Sequence, residues 1–420
     1  MTFFSASSQV SDPYMPKFFF TLIFLIILFS CSEVDIKGAT PQTLLMDTEY
    51  LLERKRLLDK GDPQVIAAYK RLIENAESAL HNEPYTVTDK ERLAPSGDKH
   101  DYASYSRYWW PDSTKVDGLP YLRKDGETNP ASQDASASDR PRIGDFAEDT
   151  ETLGLAYYFS GEDKYAHKVA ELLRVWFLDK ETRMNPNLNH AQCRLGHNEG
   201  TKSGVLDGRL MIRALEASLL IADAKVMSDA EVDELKVWAS QYFNWLTTSK
   251  LALDEAASNN NHACYYDAQA AYFALYADNP KGAEEVLGNF YDQRLMTQIW
   301  PDGAMPREIA RTRPLFYSIY NLHAIFCVAQ LAQHVNVDVF RVKDQNSRLR
   351  AALDYVAPYA APDKVWPTPT VGKADKMDLF PILLMADRAY PNGNYNTLTK
   401  QLDAHKSQIH RAHLALPLMR

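Results

Sequence analysis

From about Asp145 to the C-terminus the chain reads as one helix pair after another, joined by short polar turns, with almost no alternating strand pattern. Phe146 to Phe159 and Tyr165 to Phe177 flank the turn Ser160-Gly161-Glu162-Asp163, with Val169, Leu172, Leu173 and Trp176 at helical spacing. Val205 to Ala224 pairs with Asp229 to Leu246, and Met227-Ser228 caps the second of these. His262 to Tyr276 and Gly282 to Ile299 follow, parted by Asp278-Asn279-Pro280. Tyr317 to His334 with Ser347 to Val356, then Met377 to Ala389 with Tyr395 to Ala412, complete the series. Serial antiparallel pairs of this kind either wind into a superhelix or close on themselves, and no fixed-period repeat favours the solenoid. The expected fold is therefore all-α: an (α/α) toroid or incomplete barrel of helix hairpins, with its domain running from 47 to 416.

One region breaks the pattern. Ala94 to Arg142 is rich in turn formers and aromatics, including Tyr102, Tyr105, Tyr108-Trp109-Trp110-Pro111-Asp112 and Gly118-Leu119-Pro120-Tyr121, and keeps no helical period. A structureless run this long within a domain is usually functional or disordered, and its aromatic density argues against disorder. It is read as a long loop folded over one end of the barrel, where it walls a cleft. The chain has 23 Tyr and 7 Trp. A flat ring packs on a sugar face while its polar tip stays wet, so a carbohydrate ligand fits as well as a large helical core does.

A net charge of −9 argues against a nucleic-acid partner, and it requires any polyanionic ligand to find a local basic patch. At the N-terminus, Lys17 precedes a short apolar run, Phe18 to Phe29, that ends in Leu28-Phe29-Ser30-Cys31. The run suits a signal-peptide core and is too short to span a bilayer comfortably. A small residue and a cysteine after it resemble the lipobox of bacterial lipoproteins, which implies lipid on Cys31, a signal segment 1–31 whose true start is Met15, and a tether over 32–46. Export to the periplasm or the outer-membrane or cell surface is expected, with a membrane anchor and a monomeric body. Cys193, Cys264 and Cys327 form no disulfide framework, no Cys/His spacing resembles a zinc site, and no cofactor is expected.

Two dense segments carry the chemistry: Ser258-Asn259-Asn260-Asn261-His262, and Pro306-Arg307-Glu308-Ile309-Ala310-Arg311-Thr312-Arg313-Pro314-Leu315-Phe316-Tyr317. Each lies at the mouth of an expected helix. Together they offer an amide, an imidazole, guanidiniums and a phenol, which are the groups needed to remove a proton from a carbon beside a carboxylate. β-Elimination of a uronate polymer removes the C5 proton and breaks the C4–O bond. The carboxylate must be neutralised, the enolate-like transition state stabilised, and an acid and a base placed around C5 and O4. Against this, the asparagines could simply cap a helix, the arginines could pair with Glu308 at the surface, and Tyr317 could be core.

These two segments resemble the motifs of the alginate lyase family, whose members have an α/α toroid fold. The loop Ser96-Gly97-Asp98-Lys99-His100-Asp101-Tyr102 through Tyr108-Trp109-Trp110-Pro111-Asp112 to Asn129-Pro130 is similar to exported members of that superfamily, and the likeness runs from about Asp47 to Gln330. The resemblance implies that Asn261 and His262 bind or neutralise the substrate carboxylate, that Arg311 assists, and that Tyr317 is the catalytic acid and often the base. Counting forward from Glu308 selects Arg311 and counting back from Tyr320-Asn321-Leu322 selects Tyr317, with Arg313 and Tyr320 as alternatives. Further substrate contacts are expected from Arg313, from His197 and Lys202 before the Val205 helix, from Tyr108, Trp109 and Trp110, and from Tyr102 and His100. The activity implied is cleavage of a uronate polysaccharide, most simply alginate. A glycoside hydrolase would need two carboxylates across the bond, with Asp207, Glu199 and Asp267 available. A glycan-binding lipoprotein without turnover is the reading outside enzymes.

Overall fold

The computed structural model describes residues 40–341, 344, 346–372 and 374–419. The apolar run before Cys31, and Cys31 itself, lie outside the described residues. A helical hairpin not anticipated from the sequence, α1 (Thr48–Asp59) and α2 (Pro63–Ala79), opens the fold. Its turn is built by Asp62, which caps α2 by accepting from the N–H groups of Gln64 and Val65 while Pro63 occupies the first helical position. The pairs α3 (Arg140–Ser160) with α4 (Asp163–Leu173), and α5 (Arg209–Leu220) with α6 (Asp229–Thr248), follow. Gly161 ends α3 in the left-handed conformation, and Ser228 with Glu231 forms a reciprocal capping box on α6.

Next come α7 (Lys250–Ala256), α8 (Asn261–Tyr276), α9 (Pro280–Leu287), and the short α10 (Met296–Gln298) and α11 (Pro306–Ile309). The series ends with α12 (Pro314–Ala332), α13 (Arg348–Val356), α14 (Leu379–Ala389), α15 (Tyr395–Thr399) and α16 (Ala404–Gln408). The inner helices pack in chain order, α3 on α5, α5 on α8, α8 on α12 and α12 on α14. Where α3 meets α5 the backbones approach so closely that a Cβ on Gly154 would sit 2.8 Å from the Cβ of Ala217. Helices α8 and α12 are buried around most of their circumference, as helices without a polar face must be, and α3 is buried throughout from Thr150 to Phe159. Helix α12 begins a 22-residue apolar stretch, Pro314–Val335, whose most apolar window is 83% buried, which identifies it as core.

The ring closes through the tail. The turn Arg411–His413 packs against both α2 and α14, and Ala412 O accepts from Tyr50 Oη at 2.7 Å. Arg411 and Arg213 of α5 share the carboxylates of Glu148 and Glu151 on α3. The architecture is the (α/α) toroid expected from the helix-pair pattern.

Several boundaries differ from the sequence reading. The helix expected from Val205 begins at Arg209, because Lys202–Gly208 coils as a tighter 3₁₀ stretch. The stretch from Gly282 to Ile299 is interrupted by a π turn, Tyr291–Leu295, and Tyr395 to Ala412 breaks into short pieces. The aromatic loop contributes short strands: β1 (Ala103–Tyr105), parallel to β4 (His190–Cys193), and β2 (Trp109–Trp110), antiparallel to β3 (Leu122–Arg123). A fully buried pair, Lys90–Asp139 at 3.1 Å, anchors this region, and Asp139 also accepts from Ala103 N–H. Removing either partner would strand a buried charge, at a cost of about 3–5 kcal/mol.

Candidate functional site

A cavity of about 300 Å³ opens between the aromatic loop and the N-terminal ends of α8 and α12. Asn261, His262, Arg311, Arg313, Tyr317, Tyr108 and Trp109 all line it. Asn261 is the first residue of α8, but the asparagine run does not cap the helix with its side chains. Instead Glu308, on the neighbouring α11, receives both the Asn261 backbone N–H at 2.6 Å and its Nδ2–H at 2.7 Å. One carboxylate thus caps α8 and fixes the amide, leaving the buried Asn261 Oδ1 without a hydrogen-bond partner. Burial pushes the Glu308 carboxyl up, and the two Asn261 donors pull it back. The rival reading, a surface pairing of the arginines with Glu308, does not form: Arg311 pairs with Asp125.

His262 is fixed in the same way. Its Nδ1 meets the buried carboxylate of Glu255 on α7, and since a carboxylate can only accept, Nδ1 carries the proton and Nε2 is left for the cavity. Across the cavity, Arg311 Nη2 donates to Tyr317 Oη at 2.8 Å, and its Cζ lies 3.8 Å from the Tyr317 ring centroid. Tyr108 Oη is 3.1 Å from the same oxygen. Arg311 is itself held by Asp125 at 3.0 Å, from the tip of the aromatic loop. Burial, then the Tyr108 neighbour, pushes the Tyr317 phenol far above the usual tyrosine range while Arg311 opposes them. Burial also raises the Asp125 carboxyl, but the hydrogen bonds from Arg311 and Arg123 hold it below its ordinary value.

Of the alternatives left open by the motif, Arg313 lies over Phe316 at 4.4 Å and Tyr320 stacks among Tyr265 and Phe316. Both face the cavity, but the guanidinium–phenol hydrogen bond is the one between Arg311 and Tyr317. The other expected contacts separate. Tyr102 is wholly buried and spends its hydroxyl on Asp207 at 3.0 Å, so it supports the wall and cannot touch a ligand. His100 Nδ1 bonds Arg183 O, and Lys202 reaches Ser258 and Asp254 O; neither lines the cavity. With α5 starting at Arg209, Lys202 does not stand at its mouth. His197 packs its ring edge on Trp109 with centroids 4.9 Å apart and donates from Nε2 to Tyr121 O, facing a neighbouring depression. Trp110 is off the cavity too, its Nε1–H bonded to Glu127 O beneath Lys124.

Residues not singled out by the sequence complete the wall. Arg107, Arg140 and Arg209 line it around Asp207, and Arg123 and Arg194 line it around Trp109. This is the basic patch that a chain of net charge −9 needs for a polyanion. Asp207 accepts from Tyr102, Ser104 and Gln192, with Arg140 at 3.7 Å. Gln192 takes a left-handed φ of 49°, a cost of about 1–3 kcal/mol that its bonds to Ser104 and Ser106 over-determine. Among the described residues, Asp207 is the one carboxylate on the cavity wall. Asp267 is buried against Arg294 and Glu199 faces the neighbouring depression, so the pair a hydrolase requires is not assembled.

The sequence profile described as alginate lyase matches residues 86–366. A crystal structure of an alginate lyase from Bacteroides ovatus is similar with a TM-score of 0.83 and 36% identity, covering 89% of this chain and 98% of that one. Alginate lyase A1-III, from a Sphingomonas species, was solved as a variant complexed with a tetrasaccharide. It is similar at a TM-score of 0.51 and 19% identity over 78% of this chain and 88% of that one, a likeness of fold alone. Among curated protein sequences, none matches.

Proposed function

Since the chain belongs to the alginate lyase family and is a polysaccharide lyase, we propose that it cleaves alginate by β-elimination in the cavity around Tyr317. The observation that carries this reading is the Arg311 Nη2–Tyr317 Oη hydrogen bond in the same cavity as the glutamate-fixed Asn261 and His262. One Asn261 Nδ2 hydrogen is held by Glu308 and the other is available to the substrate carboxylate, and His262 joins it as the imidazolium paired with Glu255, which carries a proton on Nε2 as well as on Nδ1. Neutralising that carboxylate is what makes the C5 proton acidic enough to leave.

Tyr317 then serves as acid and base. In its phenolate form, stabilised by the Arg311 donor, it takes the C5 proton. The phenol so formed returns that proton to O4 as the C4–O bond breaks, leaving the C4–C5 double bond and an unchanged enzyme. The raised proton affinity of the phenol makes its phenolate a strong base once formed. Mixing the protein with alginate should produce the ultraviolet absorbance of an unsaturated uronate, and Tyr317→Phe should lower kcat by about 10²–10⁴-fold. Reducing ends without that absorbance would favour hydrolysis; binding without either product would leave a glycan-binding protein.

Export with a lipid tether on Cys31 belongs to the same proposal, supported by the apolar run and the Ser30-Cys31 junction. Cys31→Ser should move the protein from the membrane to the soluble fraction of cells. The same partition for both proteins would refute the anchor.

A further inference from the structure

The cavity holds a cationic corner that the chemistry at Tyr317 does not use. The antiparallel register of β2 and β3 sets Arg123 opposite Trp109, and Arg194 enters from the segment after β4 to lie over the Trp109 ring, 4.7 Å from Cζ to centroid. Neither guanidinium is neutralised in proportion to its charge. Among the described residues Arg194 has no ion pair, and its Nε is buried without a hydrogen-bond partner. Arg123 has Asp125 at 2.7 Å, but that carboxylate is shared with Arg311. Burial lowers the proton affinity of Arg194, and the like charge of Arg123 lowers it further. Two cations held side by side with one borrowed carboxylate are a cost to the free protein, and an arriving anion removes that cost.

An arginine seated on an indole is pre-oriented, and its planar fork of donors matches a carboxylate. A uronate polymer carries one carboxylate per sugar, so a chain with one carboxylate at Asn261 and His262 brings others along the cavity. We propose that Arg194, seated on Trp109 beside Arg123, is a subsite for the carboxylate of a uronate flanking the cleaved linkage, which makes consecutive charged sugars a requirement of the enzyme. This rests on the lyase reading above and adds to it a residue and a selectivity.

The test compares wild type with Arg194→Gln and Arg194→Lys, using oligouronates of defined length and alginate with part of its carboxyl groups reduced to alcohols. Arg194→Gln should raise KM about 10–100-fold on the all-acid oligomer with kcat within a few-fold of wild type, and Arg194→Lys should recover part of that loss. Partly reduced alginate should be a poor substrate for wild type, and the Gln variant should discriminate against it less. Unchanged KM in Arg194→Gln, or equal discrimination in both proteins, overturns the subsite. Calorimetric binding of a tetrauronate to wild type and Arg194→Gln separates the two readings. Weaker binding by the variant without turnover by either protein would keep the subsite and sink the lyase. Turnover with equal binding would do the reverse.

Discussion

At the scale of single residues, the Asn261–His262 pair depends on two buried glutamates, one for each side chain. Glu308 takes two hydrogens from Asn261, and Glu255 takes the Nδ1 proton of His262. Glu308→Gln would turn one of those acceptors into a donor facing a donor, freeing the amide to rotate. An unmatched buried polar group costs about 1–3 kcal/mol, so if that cost falls on the transition state, kcat should drop about 10–100-fold with little change in KM. Steady-state kinetics on a variant whose circular dichroism matches wild type checks this, and an unchanged kcat would show that Glu308 only caps the helix. The amide, imidazole, guanidinium and phenol stand in two short runs and are readable as motifs. Their supports are not. Glu255 lies on the preceding helix, Asp125 reaches Arg311 from 186 residues away, and Arg194 meets Trp109 only because two loops cross. Tyr102 misleads for the related reason that the loop ahead of it, 95–99, is exposed, while the chain is already buried at Asp101, before β1, and its hydroxyl meets Asp207.

At the scale of elements, what was legible follows from what each segment buries. Inner helices such as α8 and α12 are apolar around most of their circumference, and the turns between pairs carry proline, glycine or capping residues, so they announce themselves. The hairpin of α1 and α2 hides because α1 is polar overall and exposes much of its surface, with only Tyr50 and Leu51 fully buried. The Asp62-Pro63 signal was nevertheless present in the sequence. The tail from Tyr395 onward fails in the opposite sense: its apolar spacing suggests one helix, but the chain must bend to cover both α2 and α14. Tertiary packing overrides propensity there. The aromatic loop wins its shape from distant partners, with β4 pairing β1 and Asp125 gripping Arg311 and Thr312. That grip joins the loop to Arg311, so the cleft wall and the Arg311–Tyr317 hydrogen bond are set by one contact.

At the scale of the whole molecule, the buried carboxyls that hold the ring together fix how stability responds to pH. Glu216 on α5 is fully buried and accepts from the N–H groups of Leu44, Leu45 and Met46 and from Tyr272 Oη, clamping the segment ahead of α1. Burial raises it to about 7, with those donors opposing, and burial likewise raises Asp139 and Asp267 to about 6. Unfolded carboxyls titrate near about 4, so the folded protein holds extra protons between that pH and about 6–7, and stability falls as pH rises through the window. The opposite sign holds at Glu148, where burial is outweighed by Arg411 and Arg213 and the carboxyl drops to about 2. Its contribution is present above about pH 4 and is lost as pH falls toward 2. The melting temperature should therefore peak at mildly acidic pH, about 4–5.5, and decline toward pH 8, and Glu216→Gln should flatten that decline. Scanning calorimetry across pH 3–9 on both proteins decides it, and a wild-type Tm that climbs from about pH 5 to 8 would overturn the assignment. Under the proposed mechanism Tyr317 works in the other direction, since its phenolate form gains with rising pH, so the pH of greatest stability should lie below the pH of greatest activity.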